Sequence, residues 1–118
     1  MRTLVLGGTG ILGRATVGAA RRRGWPALGL ARGQADIENP TRVAAAIAAF
    51  RPELVVNCAA LTHVDRCETE PERAFAVNGA AVGVVAAACA SAGARLVQIS
   101  TDYVFDGAGR EPYREEDP

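Results

Sequence analysis

Four short apolar runs recur along the chain, at residues 3–6, 26–31, 54–57 and 95–100. Longer stretches with helical spacing separate them. Such runs are the length of strands, and their continuous apolar character suits strands covered on both faces. Ile11, Leu12, Val17 and Ala20 can form the apolar side of a helix from Gly10 to about Arg23, closed by Gly24. Its last turn carries Arg21, Arg22 and Arg23, which suits the negative end of the helix dipole. Asn39-Pro40 is a strong helix start, with Asn as N-cap and Pro in the first turn. That helix runs through Val43, Ala44, Ile47 and Ala48 to Phe50, and Pro52 closes it. Residues 58–70 read as a loop. Pro71 starts a long alanine-rich helix that reaches about Ala92 and ends at Gly93. The tail, residues 101–118, is polar and turn-rich, with neither helix nor strand expected in it.

Strands alternating with helices predict an α/β fold, a doubly wound, Rossmann-like parallel sheet of at least four strands. The expected spatial order is 3-2-1-4. No internal repeat or low-complexity linker divides the chain, so residues 1–118 read as one domain.

In such sheets ligands bind at the carboxyl ends of the strands. After the first strand comes Gly7-Gly8-Thr9-Gly10-Ile11-Leu12-Gly13, three glycines spaced G-x-x-G-x-x-G, followed by a helix. A helix N-terminus with free N–H groups favours an anion such as a dinucleotide pyrophosphate. Gly7 allows the tight turn, Gly10 a close approach of backbone to phosphate, and Gly13 close packing of helix on strand. The competing reading is a glycine-rich turn with no ligand.

Composition changes this picture little. Apolar residues make up 49% of the chain, enough for a core, and aromatics only 5%, so that core is mostly Ala, Val and Leu. The formal net charge is zero, which argues against a nucleic-acid surface or an acidic membrane as partner. No apolar run is expected to reach the ~20 residues of a membrane span. Cys58, Cys67 and Cys89 have neither C-x-x-C nor metal-ligand spacing, and no metal site is expected. Scattered thiols suit a reducing cytoplasm. All 13 basic residues are Arg.

One of them, Arg32, follows the second strand. An arginine there can meet the 2′-phosphate of NADP, which favours NADPH with NADH as the alternative; a solvated loop arginine is the competing reading. Asp36 and Ile37 can meet the adenine edge or form a plain polar turn. Cys58, Ala59, Ala60 and Thr62 follow the third strand, and their small side chains let a cofactor pass or simply pack. His63 has no nucleophile partner in sequence and reads as a loop residue, while Asp65 and Glu68 read as a local charge cluster. After the fourth strand come Ser100 and Thr101, and the Thr101 hydroxyl is the candidate to hydrogen-bond a carbonyl under reduction. Tyr103 and Phe105 read as packing of the loop.

Several segments resemble one family. Besides the glycine loop they are Asn57-Cys58-Ala59-Ala60, Thr62-His63-Val64-Asp65-Arg66-Cys67-Glu68, Ala76-Val77-Asn78, Ser100-Thr101-Asp102-Tyr103-Val104-Phe105-Asp106-Gly107 and Pro112-Tyr113-Arg114-Glu115-Glu116-Asp117-Pro118. Together they resemble the extended short-chain dehydrogenase/reductases and, within these, the dTDP-4-dehydrorhamnose reductases. The resemblance implies NAD(P)H-dependent reduction of a dTDP-4-keto-6-deoxy-sugar. It implies that Thr101 belongs to the catalytic set and that Gly7, Gly10, Leu12 and Gly13 line the pyrophosphate. Asp36 and Ile37 would lie near adenine, Ala59, Ala60 and Thr62 along the cofactor, and Asp102, Tyr103 and Val104 near nicotinamide and substrate. Thr9, Ile11, Cys58 and Ser100 join the cofactor set, and Phe105 the substrate set. The family's Tyr-x-x-x-Lys pair has no match here, because neither Tyr103 nor Tyr113 has a Lys four residues on. A glutamate that holds a dimer-linking metal in some members is matched by Ala15. The expectation is therefore the cofactor part of such a reductase, unable alone to reduce a carbonyl efficiently. A sugar-nucleotide epimerase or dehydratase, or a non-catalytic dinucleotide-binding subunit, are the alternatives.

Overall fold

The computed structural model describes residues 1–117. Pro118, the last residue of the expected domain and of its final motif, lies outside them.

Four strands form one sheet: β1 (Thr3–Leu6), β2 (Ala27–Leu30), β3 (Leu54–Asn57) and β4 (Arg95–Gln98). Every pairing is parallel, as the α/β pattern requires, and Leu6 lies opposite Leu30 on one side and Asn57 on the other. The order is β2-β1-β3-β4, not the expected 3-2-1-4. Side-chain character explains the correction. Leu4, Val5, Leu6 and Val55 are completely buried and Val56 nearly so, which requires β1 and β3 at the centre. β4 carries Arg95 and Gln98, exposes most of its residues and closes one edge. Residues 31–39 form turns rather than a further strand, and the next strand pairs on the far side of β1.

The first helix, α1 (Ile11–Arg22), buries Gly13, Val17 and Ala20. Ile11 and Leu12 do not join that face; Ile11 is 87% exposed. α1 ends at Arg23, with Gly24 beyond it at φ +71°. α2 (Pro40–Phe50) starts as expected: the Asn39 side chain accepts from the Arg42 N–H at 3.1 Å. A short α3 (Val64–Thr69) occupies the stretch expected as loop. Arg66 and Glu70 stabilise its end as a bidentate pair at 3.1 and 3.2 Å.

The long helix, α4 (Pro71–Ala92), contains a π-helical turn at Ala76–Ala80 and ends at Gly93, φ +66°. Contrary to expectation, the helix is long and apolar enough to cross a membrane by length and composition alone, an 18-residue window of its 22 residues having a mean hydropathy of 1.7. Alanine supplies much of that hydropathy. Ala81, Val85 and Cys89, four residues apart, are buried against the sheet and α2, so α4 packs on the core through one narrow stripe while most of its other residues are partly or fully exposed.

The two faces of the sheet are covered unequally. Leu4, Leu6 and Val55 pack with Val43 and Ile47 of α2 and the buried stripe of α4. On the opposite face Val5 and Val56 pack with Val17 of α1. Each such buried Leu or Val contributes about 1.5–3 kcal/mol. After β4 the chain forms one short 3-10 turn, Asp102–Val104, where no helix was expected. Phe105 stacks on Tyr113 with ring centroids 4.3 Å apart, a tail packed on itself.

Candidate functional site

The strand order places a switch point between β1 and β3. The chain leaves β1 toward β2 and leaves β3 toward β4, so their loops diverge and open a crevice at the carboxyl ends. An open cavity of about 280 Å³ lies there, near the lower end of small-molecule sites. The glycine loop, the turn after β2, the loop after β3, and α3 and α4 all contribute to its wall.

The glycines divide by cause. Gly7 adopts φ +71°, and a Cβ on it would lie 2.8 Å from the Ala59 backbone nitrogen. A Cβ on Gly13 would collide with the Gly7 carbonyl oxygen and lie 2.8 Å from the Gly8 Cα, so α1 can rest on the loop only through glycine. Gly8 and Gly29 touch across β1 and β2, a Cβ on Gly8 falling 2.6 Å from the Gly29 carbonyl carbon. That contact explains a glycine inside β2. Gly10 differs: a Cβ there would meet only the Gly7 oxygen, at 3.3 Å, and its φ is −68°. No packing constraint of comparable severity accounts for it, and it lines the cavity. As the α1 N-cap it offers no side chain, so the first N–H groups of the helix depend on an external acceptor.

Two asparagines hold the opposite wall. Asn57, fully buried, donates to Gln98 Oε1 at 2.8 Å and accepts from the Ala59 N–H at 3.1 Å. Asn78, inside the π turn, accepts from the Leu61 N–H at 2.8 Å and donates to the Leu61 carbonyl at 2.9 Å. This two-point bond fixes the loop after β3 against α4, as π turns at functional sites often do. The Cys58 thiol lies 4.0 Å from the Thr16 hydroxyl, and burial pushes its pKa up, so it is a poor thiolate.

At the far end of the cavity the groups are charged. Arg32 donates to Asp36 at 3.2 Å and to Glu38 at 3.3 Å. Arg73 of α4 donates to the other Glu38 oxygen. The Glu38 backbone N–H bonds the Asp36 carboxylate at 3.2 Å; with the Arg32 guanidinium it holds that group below the ordinary aspartate value against some desolvation.

Of the expected cofactor residues, Gly7, Thr9, Gly10, Arg32, Asp36, Ile37, Cys58, Ala59 and Ala60 line this one cavity. Ile11, Leu12, Gly13, Thr62 and Ser100 do not, although Gly13 supports it from beneath. Thr101 lies outside as well. Its hydroxyl donates to Asp102 at 3.1 Å and caps the 3-10 turn by accepting from the Tyr103 N–H. Asp102, Tyr103, Val104 and Phe105 follow it in the tail. Among the described residues no group of three or more His, Cys, Asp or Glu side chains is placed to hold a metal.

The family model described as "RmlD substrate binding domain" matches residues 1–118. The chain belongs to the RmlD substrate-binding domain family. Among its curated relatives, a dTDP-4-dehydrorhamnose reductase from Streptomyces griseus is 50% identical over 99% of this chain and 38% of its own length. A solved dTDP-4-dehydrorhamnose reductase from Clostridium acetobutylicum superposes with a TM-score of 0.93 at 38% identity, covering all of this chain and 42% of that one. Another, from Bacillus anthracis and in complex with NADP, gives 0.88 at 34% identity over 93% of this chain and 39% of that one. The chain thus spans about two-fifths of the length of these relatives.

In this member of the RmlD family, sequence reasoning missed Ala35, Glu38, Leu61, Arg66, Arg73 and Val77 as cavity residues. A signal existed for Arg73: it lies on the first turn of the helix begun by Pro71, beside a loop already assigned to the site. None existed for Glu38, whose role depends on the fold bringing α4 against the turn after β2.

Proposed function

We propose that this chain forms the dinucleotide-binding part of an NADPH-dependent reductase acting on a dTDP-4-keto-6-deoxy-sugar in dTDP-L-rhamnose formation. One observation carries the reading. A glycine loop on β1, whose Gly10 is far less constrained by packing than Gly7, Gly8 or Gly13, opens at the switch point of a chain 50% identical to a named reductase. The cofactor fits the residues present: Gly10 leaves room for phosphate and the α1 N-terminus lacks a side-chain cap. When bound, NADPH supplies the hydride, with NADH as the alternative source.

In this reading the backbone of residues 10–13 neutralises the pyrophosphate. Ala59 and Ala60 present small side chains that let the cofactor lie against the loop after β3. Asp36 and Ile37 border adenine, and Arg32 meets the 2′-phosphate. The Thr101 hydroxyl, beyond the carboxyl end of β4, orients the sugar carbonyl by a hydrogen bond, with Asp102, Tyr103 and Val104 beside it. No residue of this chain is assigned as proton donor. Such a function places the protein in the cytoplasm, where nucleotide sugars are made.

The test is a fluorescence titration with NADPH and NADH, before and after Arg32→Ala. Wild type is expected to bind both, NADPH more tightly, and the substitution to weaken NADPH about tenfold, the scale of one charge-assisted contact. Unchanged preference would remove Arg32 from the phosphate role.

A further inference from the structure

Glu38 has a position that the dinucleotide reading does not use. Its two carboxylate oxygens are divided between two arginines, Arg32 from the turn after β2 and Arg73 from α4. These arginines come from distant segments of the chain and meet through this carboxylate. All three residues line the cavity, and Glu38 is about three-quarters covered. With Arg66 and Asp36, the charged lining comprises three guanidiniums and two carboxylates, a net charge of +1.

We propose that Arg73 is a second specificity-determining residue for the 2′-phosphate of NADP, and that Glu38 is an internal competitor which that phosphate displaces from between Arg32 and Arg73. The inference rests on the dinucleotide reading. A carboxylate bridging two guanidiniums marks a point already shaped for an anion. A phosphate monoester, with more charge and three terminal oxygens, satisfies both guanidiniums better than a monoanionic carboxylate does. Arg32 and Arg73 then hold the phosphate from opposite sides, and Glu38 turns to solvent. Without a 2′-phosphate, Glu38 stays in place and its free lone pairs accept from the ribose hydroxyls. One carboxylate therefore sets the balance between the two cofactors: it opposes NADP and supports NAD.

The experiment is calorimetric titration of the chain with 2′,5′-ADP and with 5′-AMP, which differ only in the 2′-phosphate. Wild type, Arg73→Gln and Glu38→Gln are compared, with folding of each checked by circular dichroism. Arg73→Gln is expected to weaken 2′,5′-ADP about tenfold and to change 5′-AMP by less than about twofold. Glu38→Gln is expected to tighten 2′,5′-ADP about tenfold, and it decides the matter alone if Arg73→Gln does not fold. If both nucleotides bind wild type, but Arg73→Gln moves them equally or neither variant moves their ratio, the proposal is overturned and the dinucleotide reading stands. If wild type binds neither nucleotide, both fall together.

Discussion

The loops after β1 and β3 and the segment after β4 sit at the same edge of one sheet but are built in opposite ways. At β1 and β3 the strands are buried, glycines let backbones touch, and two asparagines tie the loops to neighbouring elements. Beyond β4 the chain is exposed. After Ile99, whose N–H still donates to the Asn57 carbonyl at 3.2 Å, the side-chain hydrogen bonds run within the Asp102–Val104 turn capped by Thr101 or between tail residues such as Tyr113 and Asp106. The cavity at β1 and β3 is thus set by the core, whereas Thr101 and its neighbours take their position from local turns. Rigid positioning of a reacting group needs packing around it, and among the described residues that packing is present on one side only.

Gly13→Ala should disturb the packed side as much as emptying its core would. The added methyl would collide with the Gly7 carbonyl, so the loop and α1 must part, at a cost of about 3 kcal/mol. Urea unfolding measures it; a cost under about 1 kcal/mol would mean the loop is not locked by packing. Next, Leu4→Ala in fully buried β1 should cost about 3 kcal/mol, and Val97→Ala in β4, where the side chain is 45% exposed, less than about 1 kcal/mol. Equal losses would erase the contrast between central and edge strands.

A weaker effect concerns acid. The Asp36 pKa is lowered, chiefly by the Glu38 N–H and then by Arg32, so its contribution is complete above the unfolded value of about 4 and disappears as pH falls through the lower folded value. Asp36→Asn should therefore cost less than about 1 kcal/mol at about pH 6, since Arg32 is 70% exposed and screened, and nothing near pH ~2. Urea midpoints at the two pH values give the difference; an equal cost at both would show that the carboxylate charge plays no part.

Much of this was legible from residues alone. The Asn39-Pro40 start, the Gly93 end of α4 and the glycine loop each depend on local chemistry, and each lies where its residues required. The sheet order was not legible in the same way. It depends on which apolar strand is most completely buried, and Leu54-Val55-Val56 with no charged residue was the available clue. α3 escaped because six residues carry too little periodicity to separate a helix from a loop. The Glu38 bridge escaped because its partners come from distant segments.

On this view Gly10 is glycine for a ligand rather than for the fold. Fluorescence titration of NADPH into wild type and Gly10→Ala, alongside urea unfolding of both, separates the two causes. Stabilities within about 1 kcal/mol of each other are expected, with NADPH binding weakened at least about tenfold in the variant. Wild type that does not bind NADPH, or a variant that binds it equally well, would contradict a ligand role for Gly10.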